Sequence, residues 1–231
     1  MIQILLLTLT AIPSGTEGLI DTTEAVGLGA DAVPAKVSRL CFADLNGDTF
    51  PDVVIDRHLV FLNVADADSR VGRRFEAIPP ERTGLRVPLS TTVTVFADLS
   101  GDGILDAVVG ENADVGKPDW KDHGRRTSWQ KGRGDGTFEA PQRIEGVRPA
   151  TTCAIAAGDV DLDGRLDLWL GNWYVHYGGS LAAYANQLVR HPKGKVVVED
   201  LPADALGEPN PETDLGGRPT YGAMIAQLGP G

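Results

Sequence analysis

The chain is poor in the side chains on which most enzyme chemistry is built. Its 231 residues include only two cysteines and four histidines. Cys41 and Cys153 cannot make a disulfide framework, and they stand at inequivalent places before the acidic loops described below. They read as two buried free thiols on strands. His58, His123, His176 and His191 fall at no metal-ligand spacing, which argues against zinc. There is no G-x-S-x-G, no H-E-x-x-H, no P-loop and no glycine-rich dinucleotide fingerprint, so no Ser or Cys nucleophile can be assigned. No Asn-x-Ser/Thr acceptor for glycosylation occurs. Basic residues are outnumbered, 21 Lys and Arg against 32 Asp and Glu, and a net charge of −11 opposes binding to a phosphate backbone. Trp and Tyr are missing from the N-terminal half altogether.

No apolar run is long enough to cross a bilayer. The longest, residues 2–12, is broken by Pro13, Ser14 and Gly15 and resembles the apolar region of a secretory signal, here expected over residues 1–17. What the chain has instead is glycine, proline and clustered aspartate. The 28 glycines and 15 prolines, with 42% hydrophobic residues, favour short strands and turns around a packed core.

The organising stretch is Asp159-Val-Asp-Leu-Asp-Gly-Arg-Leu-Asp167 (loop 3). Acids stand at positions 1, 3, 5 and 9, with Gly164 at position 6, between two apolar runs. Oxygen-bearing side chains at alternate residues converge only if the backbone curls, and a glycine permits the curl. Carboxylates brought that close repel unless a cation sits among them. An all-oxygen, flexible donor set suits Ca²⁺ better than Mg²⁺. The expected ligands are Asp159, Asp161, Asp163 and Asp167, with the backbone carbonyl of Arg165 at position 7.

The pattern recurs twice. Loop 1, Asp44 to Asp52, offers Asp44, Asn46, Asp48, the Phe50 carbonyl and Asp52; loop 2, Asp98 to Asp106, offers Asp98, Ser100, Asp102, the Ile104 carbonyl and Asp106. The first aspartates lie 54 and then 61 residues apart, and each loop sits between strand-like runs. Asp/Gly-rich turns are common in hairpins, but three in register, at such a period, indicate a propeller or solenoid.

These motifs resemble the FG-GAP/VCBS repeats, the blades of integrin-α-type β-propellers, whose signature is D-x-[DN]-x-[DN]-G-x-x-D. Loop 3 matches fully; loop 2 departs in Ser100, and loop 1 departs at Thr49, where glycine is usual. Arg133-Gly-Asp-Gly-Thr-Phe138 resembles a second family element, a turn late in a blade, which accounts for the Arg-Gly-Asp tripeptide inside it. The resemblance implies a structural Ca²⁺ in each blade loop and a role in adhesion or surface recognition, without an active site.

The fold expected is all-β: a partial β-propeller of four-stranded blades with calcium-binding loops, over residues 18–231. Blade 1 spans about 38–80, with strands at 38–43, 52–56, 59–64 and 74–78. Blade 2 spans about 91–145, with strands at 91–97, 107–110, 127–131 and 137–140 and a polar insertion over 111–126. Blade 3 spans about 152–200, with strands at 152–157 and 168–171, a strand or short helix near 181–190, and a strand at 195–199. Leu19–Glu24 and Gly27–Gly29 form a lead-in able to supply an outer strand. Residues 220–231 open a fourth blade, with a first strand over 220–226 and Gln227 where a loop aspartate belongs. A closed propeller needs about four to eight blades, so further blades of a longer chain are the expected neighbours.

The function expected is a secreted, periplasmic or cell-surface calcium-binding module that recognises a protein or polysaccharide and does no chemistry. The alternative is a propeller hydrolase or lyase acting on extracellular polysaccharide. Trp173-Tyr-Val-His-Tyr177 would then be its sugar-stacking surface, although packing between blades accounts for such aromatics more simply. A glycosidase needs two carboxyls across a cleft. Glu111, Asp119, Asp122 and Glu212 are acids outside the loops, and nothing in the sequence pairs them.

Overall fold

The structure, a computed structural model, describes residues 21–86, 90–176, 178, 182–190, 196–201 and 216–226. The signal expected over 1–17, Tyr177, Leu181, His191, Glu212 and Gln227 lie outside the described residues. Among the described residues no helix is long and apolar enough to cross a membrane.

The chain is all-β, as its composition favours. Sheet 1 is β1 (Leu40–Ala43), β2 (Asp52–Ile55), β3 (Leu59–Ala65) and β4 (Arg73–Ala77), paired in that order. A single helical turn, α1 (Pro80–Thr83), leads on to sheet 2: β5 (Thr91–Ala97), β6 (Asp106–Glu111), β7 (Ser128–Gln130) and β8 (Gln142–Arg143). Sheet 3 joins β9 (Thr152–Gly158) and β10 (Asp167–Asn172) to β12 (Gln187–Arg190) and β13 (Val197–Asp200). A small pair, β11 (Ala183–Tyr184) with β14 (Gly216–Gly217), stands apart. Every pairing is antiparallel. In all three sheets one of the acidic loops is the turn from the first strand to the second.

Burial follows from how the sheets stack. Successive residues of a strand face opposite sides, so a strand covered on both sides is buried throughout. β2 and β6 are buried at every position. Ala107 faces sheet 1, in a cluster with Leu45, Val54, Val60 and Phe138. Its neighbour Val108 faces sheet 3, with Ile155, Leu168, Leu170 and Val189. The core is therefore two apolar layers, one between each pair of neighbouring sheets. The far face of sheet 1, Val53, Ile55 and Phe61, is covered by Leu28 and Val33.

Three boundaries differ from those the sequence indicates. The last strand of sheet 2 is Gln142–Arg143 instead of 137–140. Phe138, only 2% exposed, is drawn into the layer against sheet 1, where its amide donates to the Thr83 carbonyl at 2.7 Å. That leaves a single bridge to Gly132. The lead-in supplies no outer strand over its described part. Its amides bond locally, Val26 to the Thr22 carbonyl at 3.0 Å and Leu28 to that of Thr23 at 2.9 Å, which coils the segment. Residues 220–226 form no strand either. The segment lies beside β10, donating from the Thr220 amide to the Asn172 carbonyl at 2.8 Å, without a ladder. Near 181–190 the open alternative resolves in favour of strands.

Candidate metal centre

The three acidic loops share one backbone. Positions 4 and 6 have positive φ in each: Gly47 at 74° and Thr49 at 73°, Gly101 at 74° and Gly103 at 85°, Leu162 at 60° and Gly164 at 89°. This conformation turns successive amides inward, a concavity that takes an anion, and the first aspartate fills it. Asp44 accepts from the amides of Gly47, Asp48 and Thr49 at 2.8, 3.1 and 2.9 Å. Asp98 accepts from Gly101, Asp102 and Gly103 at 2.7, 3.1 and 2.8 Å. Asp159 accepts from Asp163 and Gly164 at 3.1 and 2.9 Å. Thr49 adopts the glycine conformation although it is β-branched, so loop 1 keeps the shared geometry. The left-handed residue at position 4 has no counterpart in the sequence signature.

The closing aspartates do different work. Asp52, Asp106 and Asp167 are essentially buried. One oxygen of each accepts from the loop: from Leu45 at 2.8 Å, from Leu99 and Ser100 at 3.0 and 2.8 Å, and from Val160 at 3.0 Å. The other oxygen of Asp52 accepts the Asn63 amide at 2.8 Å, and that of Asp106 the Gly132 amide at 2.9 Å. Asp52 thus clamps its loop to the third strand, and Asp106 clamps its loop to the chain just past the third strand. Burial pushes the Asp52 carboxyl above its usual range, against the pull of the Asn63 and Leu45 amides.

Among the described residues, one oxygen each from Asp159, Asp161 and Asp167 comes within 4.8 Å of the others. This donor set fits a hard divalent ion: three carboxylates, all hard oxygen donors, one of them exposed to solvent. Asp163 is not in the group. One of its oxygens accepts the Arg165 amide at 2.9 Å. Asp48 and Asp102 hold the amides of Phe50 and Ile104 in the same way, at 2.9 and 3.0 Å. The convergence of four carboxylates expected of loop 3 is a convergence of three, with Asp163 turned to the Arg165 amide instead.

Basic residues that the sequence motif does not contain stand beside the loops. Lys131 Nζ is 2.9 Å from Asp102, and Arg73 is 3.6 Å from Asp48. Arg190 is 3.8 Å from Asp161. The Lys131 hydrogen bond, aided by the Ile104 amide, holds the Asp102 carboxyl below its usual range.

The remaining sequence candidates are tied into structure. The Arg133 guanidinium donates to the Phe138 carbonyl, and Asp135 accepts from the amide and hydroxyl of Thr137 at 3.0 and 2.6 Å, so the Arg-Gly-Asp stretch is a turn. Trp173 packs edge-on against Tyr174 and Tyr221, with ring centroids 4.6 and 5.2 Å away. Glu111 is buried near Ser90, and Asp122 is held by Arg126 at 2.7 Å. Cys41 and Cys153 are free thiols, half-buried where full burial was expected, because both lie on first strands at the edges of their sheets. Burial raises the Cys153 thiol to about 11.

Residues 98–170, from the first aspartate of loop 2 through most of β10, match the FG-GAP-like repeat family. The matched stretch contains loops 2 and 3 entire. FG-GAP repeats occur in extracellular or surface proteins. No curated protein matches the chain. Among solved structures it is similar to a lectin of Agrocybe aegerita, described for its specific recognition of non-reducing terminal N-acetylglucosamine. The TM-score is 0.41 at 18% identity, over 70% of this chain and 37% of that one. The chain therefore spans little more than a third of that lectin's length.

Proposed function

We propose that the chain is a calcium-stabilised recognition module: part of a β-propeller whose acidic blade loops take Ca²⁺ and whose outer surface binds a macromolecule without transforming it. The observation that carries this reading is the convergence of Asp159, Asp161 and Asp167 at the turn between β9 and β10. Asp159 and Asp161 lie in the loop and Asp167 begins the next strand, so an ion shared by them would hold that hairpin closed. A partly exposed site of three carboxylates suits the weak, roughly 10⁻⁴–10⁻³ M regime of extracellular calcium modules. Location outside the cytoplasm, whether secreted, periplasmic or on the cell surface, follows from the same reading. The partner is a protein or a polysaccharide.

The test is a thermal melt of the whole chain with and without excess EDTA, alongside Asp161→Ala. Calcium should raise the melting temperature of the parent chain, and raise that of Asp161→Ala by less. The variant should match the parent in EDTA, because the Asp161 carboxylate contributes nothing to the loop's own turn. A melting temperature indifferent to calcium in the parent chain would refute the metal reading. Recognition is tested separately by binding to arrays of polysaccharides and extracellular proteins, with turnover assayed on every hit; turnover would refute the non-catalytic reading.

A further inference from the structure

We propose that loops 1 and 2 carry their own cation, a basic side chain delivered by a neighbouring strand, and that loop 3 alone of the three takes a divalent ion. The inference rests on the calcium reading and narrows it.

Strand register explains how the cations arrive. Ala107 pairs with Gln130, so the next position on β7's side, Lys131, falls opposite the closing aspartate Asp106. Leu168 pairs with Val189, which sets Arg190 opposite Asp167. Val53 pairs with Phe61, which sets Leu62 opposite Asp52. Two of the three sheets thus place a cation at the mouth of the loop, and in the third the position is apolar.

Sheet 1 compensates from its outermost strand. Arg73, the first residue of β4, donates to the Asn63 side chain at 2.7 Å and lies 3.5 Å over the Phe50 ring, position 7 of loop 1. So held, it stands 3.6 Å from Asp48. In sheet 2, Lys131 reaches Asp102 at 2.9 Å with no other ion-pair partner among the described residues. An arriving Ca²⁺ would have to displace a cation tethered within the fold, and the two positive charges would repel at that range.

Loop 3 is built the other way. The guanidinium of Arg190 is engaged by Glu199 on β13 at 2.6 Å and approaches Asp161 only to 3.8 Å. Its charge is shared with a carboxylate outside the loop, and loop 3 is where three carboxylates crowd together. Loop 1 also has Asn46 and loop 2 Ser100 where loop 3 has Asp161, so donor charge is lower where the internal cation is closer.

Isothermal titration calorimetry and equilibrium dialysis with Ca²⁺ on the whole chain decide the matter. The parent chain should bind one ion, and Asp161→Ala none. Lys131→Met should bind two, and Arg73→Gln should likewise gain one. In EDTA, Lys131→Met should melt below the parent chain, and Ca²⁺ should close that gap. Lys131→Gln repeats the measurement with a polar replacement should the methionine variant fold poorly. Three ions in the parent chain, or a count still at one in Lys131→Met and Lys131→Gln, would overturn the inference while leaving the calcium reading intact. No ion in the parent chain would overturn both.

Discussion

Asp106 holds Gly132 to its own loop: one carboxylate oxygen accepts the Gly132 amide at 2.9 Å while the other accepts from Leu99 and Ser100. The two residues are 26 apart in the chain, and this buried contact fixes where the turn of loop 2 sits against the chain leaving the third strand. A Cβ on Gly132 would come 2.1 Å from the Leu105 carbonyl, so the close approach depends on glycine at that position. Asp106→Asn puts an amide NH₂ where an acceptor is needed and should destabilise the protein by about 3 kcal/mol. Urea unfolding in EDTA reads the effect without any contribution from metal. A loss that appears only in the presence of Ca²⁺ would show Asp106 to act as a ligand and not as a clamp.

Left-handed backbone at positions 4 and 6 of every loop makes two substitutions favourable. Thr49, at φ 73°, has a β-branched side chain in a region that costs an L-residue about 1–2 kcal/mol. Leu162, at φ 60°, combines that strain with a side chain 83% exposed. Thr49→Gly and Leu162→Gly should each stabilise by roughly 0.5–1 kcal/mol, after the larger unfolded-state entropy of glycine is subtracted. Denaturant midpoints measure both. A fall in stability would mean that the loops do not share the backbone described.

Phe138 closes the apolar layer between sheets 1 and 2, with Phe96 tilted against it at 5.8 Å. Phe138→Ala should cost about 3–5 kcal/mol, as emptying a packed aromatic site does. A change under about 1 kcal/mol would show that the turn carrying it is a surface feature.

Glu111 supplies a pH signature away from the loops. Burial at the end of β6 raises its carboxyl above the ordinary 4.5, against the weaker pull of the Ser90 hydroxyl. The protonated form is therefore the one the fold favours. Its contribution is fully present below 4.5 and is lost as pH rises through the raised, folded value. Glu111→Gln mimics the protonated acid, so it should melt higher than the parent chain at pH 7 and at the same temperature below pH 4. A difference independent of pH would assign the effect to packing.

Strand positions were legible in the sequence because local rules set them. Apolar runs flanking Asp- and Gly-rich turns mark β1, β2, β5, β6, β9 and β10 to within about two residues, since a hairpin's two strands are defined by the turn between them. The fourth strand of sheet 2 was not legible. Phe138 belongs to the layer against sheet 1, and no local pattern announces which sheet an aromatic will join.

By itself the sequence determined that three equivalent acidic turns recur and that each opens a four-stranded antiparallel unit. The spacing of aspartate and glycine decides that within nine residues. Only the tertiary structure decided what the carboxylates do there. Asp52 and Asp106 became clamps, Asp163 a turn former, and Asp159, Asp161 and Asp167 a converging group. Lys131 and Arg73 became the partners of Asp102 and Asp48. The physical reason is that the ladder between strands brings these charges together from 25 or more residues away. The register of such a ladder is set by burial of the strand faces and carries no mark in the loop sequence.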